Sequence, residues 1–366
     1  MTRLATPDAT RGYAAGFASR AAAGHFRGVR GHALSSVGIG TYLGEPDAAT
    51  DQSYTDAIVE AVLGGINVLD SAINYRFQRS ERSVGAAIAA LASRGVPREA
   101  LLVCTKGGYL SPDGTMPANP RQYFADEYFS KGILGPSDVA AGCHAMTPRY
   151  LEDQLARSLR NLALDAVDVY YLHNPETQLQ EVSPDEFRVR LRAAFEFLEG
   201  AVAAGKIGHY GVATWNGFRQ PAGSPALHSL PDIVAVAREV AGDAHHFGFV
   251  QLPVNLMMPE AIVLPNQRVG GRELPLLAAA VELGVTVIAS APTLQGRLAK
   301  GLPPAITSVI GLDSDFARAV QFARSAPGLA SALIGTSRVE HARANVRLVA
   351  ESPLTSEKFW SLFREP

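Results

Sequence analysis

From about residue 35 the chain alternates eight times between a short β-rich apolar run and a longer segment with helical spacing. Strands are expected at Ser36–Thr41, Asn67–Ser71, Leu101–Lys106, Val167–His173, Tyr210–Thr214, Phe247–Val254, Thr286–Ser290 and Ala332–Gly335. Helices are expected at Tyr54–Leu63, Glu81–Ser93, Arg149–Leu162, Pro184–Ala204, Pro231–Ala241, Leu274–Leu283, Asp315–Ser325 and Glu340–Ala350. The strands are continuous apolar runs rather than alternating ones, as in a sheet covered on both faces. Eight such units predict an α/β fold, a (β/α)8 TIM barrel in a single domain. The alternative is an open doubly wound sheet with a second domain. No linker-like segment divides the chain, which favours closure. Gly64-Gly65, Gly205 and Gly284 sit where helices need a left-handed cap, and Asp51 and Thr147 sit near helix starts.

The chain has 366 residues, more than the roughly 250 a barrel requires. The excess has two addresses. Residues 1–33 form an N-terminal arm ahead of a barrel spanning 34–366. The arm is rich in Ala, Gly and Arg and lacks the apolar core of a signal peptide, so it reads as a loosely ordered arm or a cap over one end. Residues 107–147 form a long insertion after the third strand, rich in Pro, Gly and aromatics: Tyr109, Tyr123, Phe124, Tyr128 and Phe129. A strand-to-helix loop lies on the face where barrel active sites are built. These aromatics suit either a lid or packing on the barrel's flank.

Composition excludes several classes. Lys+Arg is 33 and Asp+Glu is 35, a net charge of −2, so the basic excess that nucleic acid demands is missing. Two cysteines cannot staple a chain this long. No run approaches the roughly 18–20 apolar residues of a membrane span. A cytoplasmic protein with a small-molecule partner is expected.

Polar residues close three adjacent strands. Asp70 ends the second, Lys106 the third and His173 the fourth, with Tyr75 in the loop after Asp70. Neighbouring strands lie about 4.8 Å apart, so these side chains can meet. A phenol, with a pKa of about 10, is a poor acid at neutral pH. A nearby ammonium stabilises the phenolate, and a carboxylate keeps the ammonium charged. A histidine at the next strand end can hold a carbonyl oxygen. Such a site can protonate an alkoxide as hydride reaches the carbonyl carbon.

These segments resemble the aldo-keto reductases. Gly64-Gly65-Ile66-Asn67-Val68-Leu69-Asp70-Ser71-Ala72, Val103-Cys104-Thr105-Lys106 and Asp168-Val169-Tyr170-Tyr171-Leu172-His173 are similar to that family's aspartate, lysine and histidine segments. Gly205-Lys206-Ile207, Gly211-Val212 and Ile334-Gly335-Thr336-Ser337-Arg338 continue the likeness, which runs from about residue 36 to 355. The resemblance implies a carbonyl–alcohol oxidoreductase using NADPH, with NADH the lesser choice. It implies catalytic roles for Asp70, Tyr75, Lys106 and His173, with Tyr75 as general acid. It places the cofactor along Gly40, Thr41, Asp70, Thr214, Gln251, Ser290, Pro292, Leu294, Gly296 and Arg297, and then Gly335, Ser337, Arg338, His341 and Asn345. Arg338 is its candidate for a 2′-phosphate, which a guanidinium binds bidentately. Substrate contacts are expected from Tyr42, Arg76, Tyr109 and Trp215.

The chain departs from the family pattern in two places. Ala213-Thr214 replaces the usual Ser-Asn, and Ser290 stands where an aromatic often stacks on nicotinamide. Trp215 either supplies stacking or lines the substrate pocket. These departures motivate an alternative, redox-neutral elimination or epimerisation on a sugar-like substrate. A nicotinamide-sensing regulatory subunit is a third reading. Gly38-Ile39-Gly40-Thr41-Tyr42-Leu43-Gly44 imitates a dinucleotide fingerprint but has Leu43 where the third glycine belongs. Cys143-His144 and His245-His246 lack the ligand spacing of a zinc site, so no metal is expected.

Overall fold

The computed structural model describes residues 4–364. The first three residues of the expected arm and the last two of the expected barrel segment lie outside the described residues. The chain begins with α1 (Pro7–Ala15) and the antiparallel hairpin β1 (Phe26–Val29) and β2 (His32–Ser35). Then come β3 (Val37–Gly40), α2 (Ala48–Leu63), β4 (Val68–Asp70), α3 (Arg79–Ala92) and β5 (Leu102–Gly107). After α4 (Pro120–Phe124) follow α5 (Pro148–Leu162), β6 (Val167–His173), α6 (Pro184–Ala203), β7 (Ile207–Ala213), α7 (Leu230–Ala241) and β8 (Phe247–Pro253). The last part contains α8 (Glu260–Val263), hairpin β9 (Gln267–Val269) and β10 (Arg272–Leu274), α9 (Leu276–Glu282) and β11 (Thr286–Ser290). It ends with α10 (Pro304–Ile310), α11 (Asp315–Ser325), β12 (Leu329–Gly335), α12 (Val339–Arg347) and α13 (Ser356–Ser361).

Eight of these strands close into a parallel barrel in the order β11-β12-β3-β4-β5-β6-β7-β8. Every expected strand is one of them, and the open-sheet alternative is excluded by closure. Side chains alternate along each strand. Val68, Leu102, Cys104, Val169, Tyr171, Ala213, Phe249, Ile288 and Leu333 fill the interior. Leu69, Val103, Tyr170, Val212 and Val250 face the helices. Two residues beyond the interior row, the same period brings Asp70, Lys106, His173 and Gln251 to the inside at the C-terminal mouth.

The hairpin β1–β2 closes the opposite end. Leu34 packs among the interior residues. Ser35 N–H donates to Asn67 Oδ1 at 2.8 Å, and Arg27 donates to the Leu329 carbonyl at 2.5 Å, both at strand starts. Gly65, Gly205 and Gly284 take positive φ values of 106°, 67° and 67° after their helices, as capping demands. The second helix begins at Ala48, earlier than expected, because Asp47 caps it by accepting from Thr50 N–H at 2.7 Å.

The insertion is not a lid. Tyr128, Leu134, Ala145 and the α5 residue Tyr150 form a buried cluster, joined by Phe124 and Phe129. These aromatics find apolar partners on the barrel's flank, and only Tyr109 among the five reaches the mouth.

Candidate active site

A cavity of about 930 Å³ opens at the C-terminal mouth, within the usual range for small-molecule and cofactor sites. Asp70, Tyr75 and His173 line it, and Lys106 lies fully buried behind them. Register explains the convergence. Asp70 pairs with Gly40 and Cys104, Lys106 with Tyr171, and His173 with Ala213.

Lys106 spends all three ammonium protons within this group. Nζ donates to Asp70 Oδ2 at 2.5 Å, to the Ser71 carbonyl at 2.8 Å and to Tyr75 Oη at 3.4 Å. Gln251 Nε2 donates to Asp70 Oδ1 at 2.8 Å, so both carboxylate oxygens are engaged. Burial alone would push the Lys106 ammonium down, but Asp70 and Tyr75 hold it above its ordinary value. Burial pushes the Tyr75 phenol up, and Lys106 pulls it back in part. The net direction is upward, against the downward shift that a nearby ammonium alone predicts. Tyr75 therefore rests protonated, and Lys106 is placed to stabilise the phenolate once the proton leaves.

His173 stands edge-on to Tyr75, ring centroids 5.8 Å apart. Burial, with Lys106 and His144 nearby, holds its imidazole well below the usual histidine range, so it is neutral. The insertion supports it from behind. His144 Nε2 donates to the His173 carbonyl at 2.8 Å, and Gln178 Nε2 donates to His144 Nδ1 at 2.9 Å. Gly108 makes this approach possible: its φ is 146°, and a Cβ there would lie 2.7 Å from His144 Nε2. His144, Gln178 and Asn174 are absent from the sequence-derived set. Asn174 lines the cavity and donates to Tyr109 Oη at 3.0 Å. Its only sequence signal is that it follows His173.

The expected cofactor residues divide. Gly40, Thr41, Thr214, Gln251, Ser290, Pro292, Gly296, Gly335, Ser337 and His341 line the cavity. Leu294 does not; it packs against Leu298 and Ala319. Asn345 is buried and donates to Thr336 Oγ1 at 2.7 Å, holding the turn before α12 rather than lining the cavity. Arg297 and Arg338 are exposed outside the lining, and Arg338 takes the N-cap position of α12. The cavity's polar lining fits an extended dinucleotide, with a hydroxyl that can donate at Thr214 and an amide oxygen that can accept at Asn74. The buried Thr214 Oγ1 and Asn74 side-chain oxygen have no hydrogen-bond partner among the described residues. The N-terminus of α12 supplies the field an anion prefers.

Of the expected substrate residues, Tyr42, Tyr109 and Trp215 line the cavity. Trp215 is positioned by Glu176, whose Oε1 accepts from Trp215 N–H at 2.9 Å and Asn216 N–H at 3.1 Å. Arg76 is a correction: it does not line the cavity, because its guanidinium is buried against Glu45, Asp47 and Asp51. Among the described residues, no helix is long and apolar enough to cross a membrane.

Comparison with known proteins follows the same lines. The D-threo-aldose 1-dehydrogenase of a Pseudomonas species is 26% identical over 186 residues, 50% of this chain and 51% of that one. The NADH-specific methylglyoxal reductase of Escherichia coli K12 is 31% identical over 146 residues, 38% of each chain. The chain thus spans about half or less of the length of these curated relatives. A Klebsiella pneumoniae aldo-keto reductase, solved in complex with NADPH, superposes with a TM-score of 0.61 at 21% identity, covering 93% of this chain and 96% of that one. At that identity the likeness is one of fold. The model of the aldo/keto reductase family matches residues 36–238, more than half of the sequence, and it takes in the Asp70, Tyr75, Lys106 and His173 segments. The chain belongs to the aldo/keto reductase family.

Proposed function

We propose that the protein interconverts a small carbonyl compound and its alcohol with NADPH, Tyr75 acting as general acid. The observation that carries this reading is the Tyr75–Lys106–Asp70 chain at the cavity wall, with Lys106 Nζ 3.4 Å from Tyr75 Oη and 2.5 Å from Asp70 Oδ2. The bound dinucleotide would supply the hydride. His173, as a neutral imidazole, orients the carbonyl oxygen beside Tyr75. Tyr75 gives that oxygen its phenolic proton, and Lys106 stabilises the phenolate left behind. Asp70 keeps Lys106 charged, and water returns the proton afterwards. In the oxidative direction the same groups run in reverse.

Gln251, Thr214 and Ser290 would hold the nicotinamide end, and Ser337 with Arg338 the adenosine end. The hydroxyl of Thr214, unpartnered among the described residues, offers the amide a hydrogen bond in place of the family's usual asparagine. The relatives support a dinucleotide but differ in which. The Klebsiella structure carries NADPH, whereas the Escherichia coli relative is named NADH-specific. Arg338 favours NADPH here.

The test is Tyr75→Phe, assayed on a panel of small aldehydes and ketones. Turnover should fall by about 10²–10⁴-fold, the range of a general acid, while fluorescence titration shows unchanged dinucleotide binding. Full turnover by the variant would refute Tyr75 as the acid.

A further inference from the structure

Tyr75 is followed by three consecutive non-glycine residues in the left-handed region: Arg76 at φ 48°, Phe77 at 56° and Gln78 at 70°. Side chains avoid this region because Cβ crowds the backbone. Such a run persists only where its surroundings over-determine it. Three elements do so here. Arg76 donates from Nε and Nη2 to the Glu45 carbonyl at 2.9 and 2.7 Å, and from Nη2 to Asp51 Oδ1 at 2.6 Å and the Asp47 carbonyl at 3.3 Å. Its guanidinium lies over the Tyr54 ring at 5.2 Å, and among the described residues only its Nη1 lacks a partner. From the insertion, Gly114 N–H donates to the Phe77 carbonyl at 2.8 Å, and the Pro112 carbonyl accepts from Gln78 at 3.2 Å. From α5, Asn161 donates to Gln78 Oε1 at 3.1 Å.

The other end of the Arg76 clamp is the connection from β3 to α2. That connection carries Tyr42, whose ring stands edge-on to Tyr75 with centroids 5.0 Å apart. It also carries Leu43, whose carbonyl accepts from Tyr54 Oη. One buried guanidinium therefore ties the loop bearing the phenol to the loop bearing the aromatic wall beside it.

We propose that Arg76, with Asp51 as counter-ion, is a positioning residue that fixes Tyr75 against Lys106 and Tyr42 against Tyr75. The inference rests on the reading of Tyr75 as the acid. The left-handed backbone alone does not require arginine at this position. Glycine adopts a positive φ without the Cβ penalty, so Arg76 occupies its place at a backbone cost.

The experiment compares Arg76→Gly, Asp51→Asn and Tyr75→Phe in the full chain. Arg76→Gly relieves the left-handed strain while deleting the clamp, and its melting temperature is read beside kcat. Its kcat should fall about 10- to 100-fold, the loss that accompanies a misplacement of about 1 Å, with dinucleotide affinity unchanged. The groups facing Tyr75 are Asp70 from β4, Lys106 from β5, His173 from β6 and Tyr42 from the β3–α2 connection. All four remain in the variants. As Tyr75 drifts from Lys106 it loses the downward pull on its phenol, so the alkaline limb of the kcat profile should move to higher pH. Asp51 also pairs with the Arg79 guanidinium, so Asp51→Asn should show the same shift in smaller measure while Arg79→Gln leaves the alkaline limb in place, and this pair decides the matter if Arg76→Gly does not fold. Wild-type kcat with an unmoved alkaline limb overturns the proposal, even if the melting temperature drops. Full turnover by Tyr75→Phe would instead overturn the assignment of the acid. An inactive Tyr75→Phe beside a wild-type-like Arg76→Gly overturns the role of Arg76 alone.

Discussion

The ammonium of Lys106 and the carboxylate of Asp70 meet at 2.5 Å where neither side chain is more than 4% exposed. Such a pair is held by its own geometry, because water can replace neither partner. Lys106→Met should therefore act twice. It strands a buried carboxylate, which costs about 3–5 kcal/mol when one partner of a buried pair is removed. It also removes a cation that pulls the Tyr75 phenol down, so residual activity should persist to higher pH. Thermal melts and the kcat–pH profile check both. An alkaline limb that stays in place would contradict the link from Lys106 to Tyr75.

Arg338 is exposed at the N-cap of α12, one residue beyond Ser337, which lines the cavity. If it receives a 2′-phosphate, Arg338→Ala should weaken NADPH by about 10- to 100-fold, the worth of hydrogen bonds to a charged group. NADH affinity should not change. Fluorescence titrations with both dinucleotides measure this directly. Equal losses for the two would remove Arg338 from phosphate recognition.

The strand ends were legible because two patterns agree there. Each strand is apolar on both faces, and a period of two then dictates which polar residue points inward at the mouth. Asp70, Lys106 and His173 follow from that alone. Arg76 was not legible. A cation beside Tyr75 reads as a pocket residue, yet its carboxylate partner Asp51 is 25 positions away and its other partners are backbone carbonyls. The insertion shows the same limit. Its aromatics are as suited to a lid as to a flank until Tyr150 of α5 is placed against Tyr128, ring centroids 5.5 Å apart. Asn174 was missed because its alignment with Tyr109 depends on the left-handed turn it makes after β6, at φ 47°.

Asp168 joins elements at the closed end of the barrel, away from the cavity. Its Oδ2 accepts from Arg98 Nη2 at 2.8 Å and from Val103 N–H at 2.7 Å, and its Oδ1 accepts from Ala5 N–H at 2.6 Å. Asp168→Ala leaves a guanidinium and two backbone donors without that carboxylate. It should destabilise the fold by about 3–5 kcal/mol and leave kcat at assay temperature unchanged. Urea unfolding and steady-state kinetics together test this. A variant as stable as the parent would show that solvent replaces the carboxylate.

Three histidines besides His173 contribute to how the protein responds to acid. Burial pushes His25, His144 and His209 from the ordinary 6.5 down to about 4. Their bonds agree with neutrality, since His144 accepts from Gln178 through Nδ1 and His209 accepts from Arg30 through Nε2. The unfolded chain takes up these protons near 6.5, and the folded chain only near 4. Between those values the unfolded state binds more protons at these three sites, so their contribution to stability falls as pH drops through that window. It levels off for these groups below the lower value. Each histidine adds up to about 1.4 kcal/mol per pH unit to the slope. His209 lies beside Arg30 and Phe249 at the closed end, so His209→Asn should remove one proton from the slope without touching turnover. Urea midpoints measured across the window, for the parent and the variant, give the slope directly. A parent whose midpoint is flat from 6.5 down to about 4 would mean that these rings protonate in place without cost.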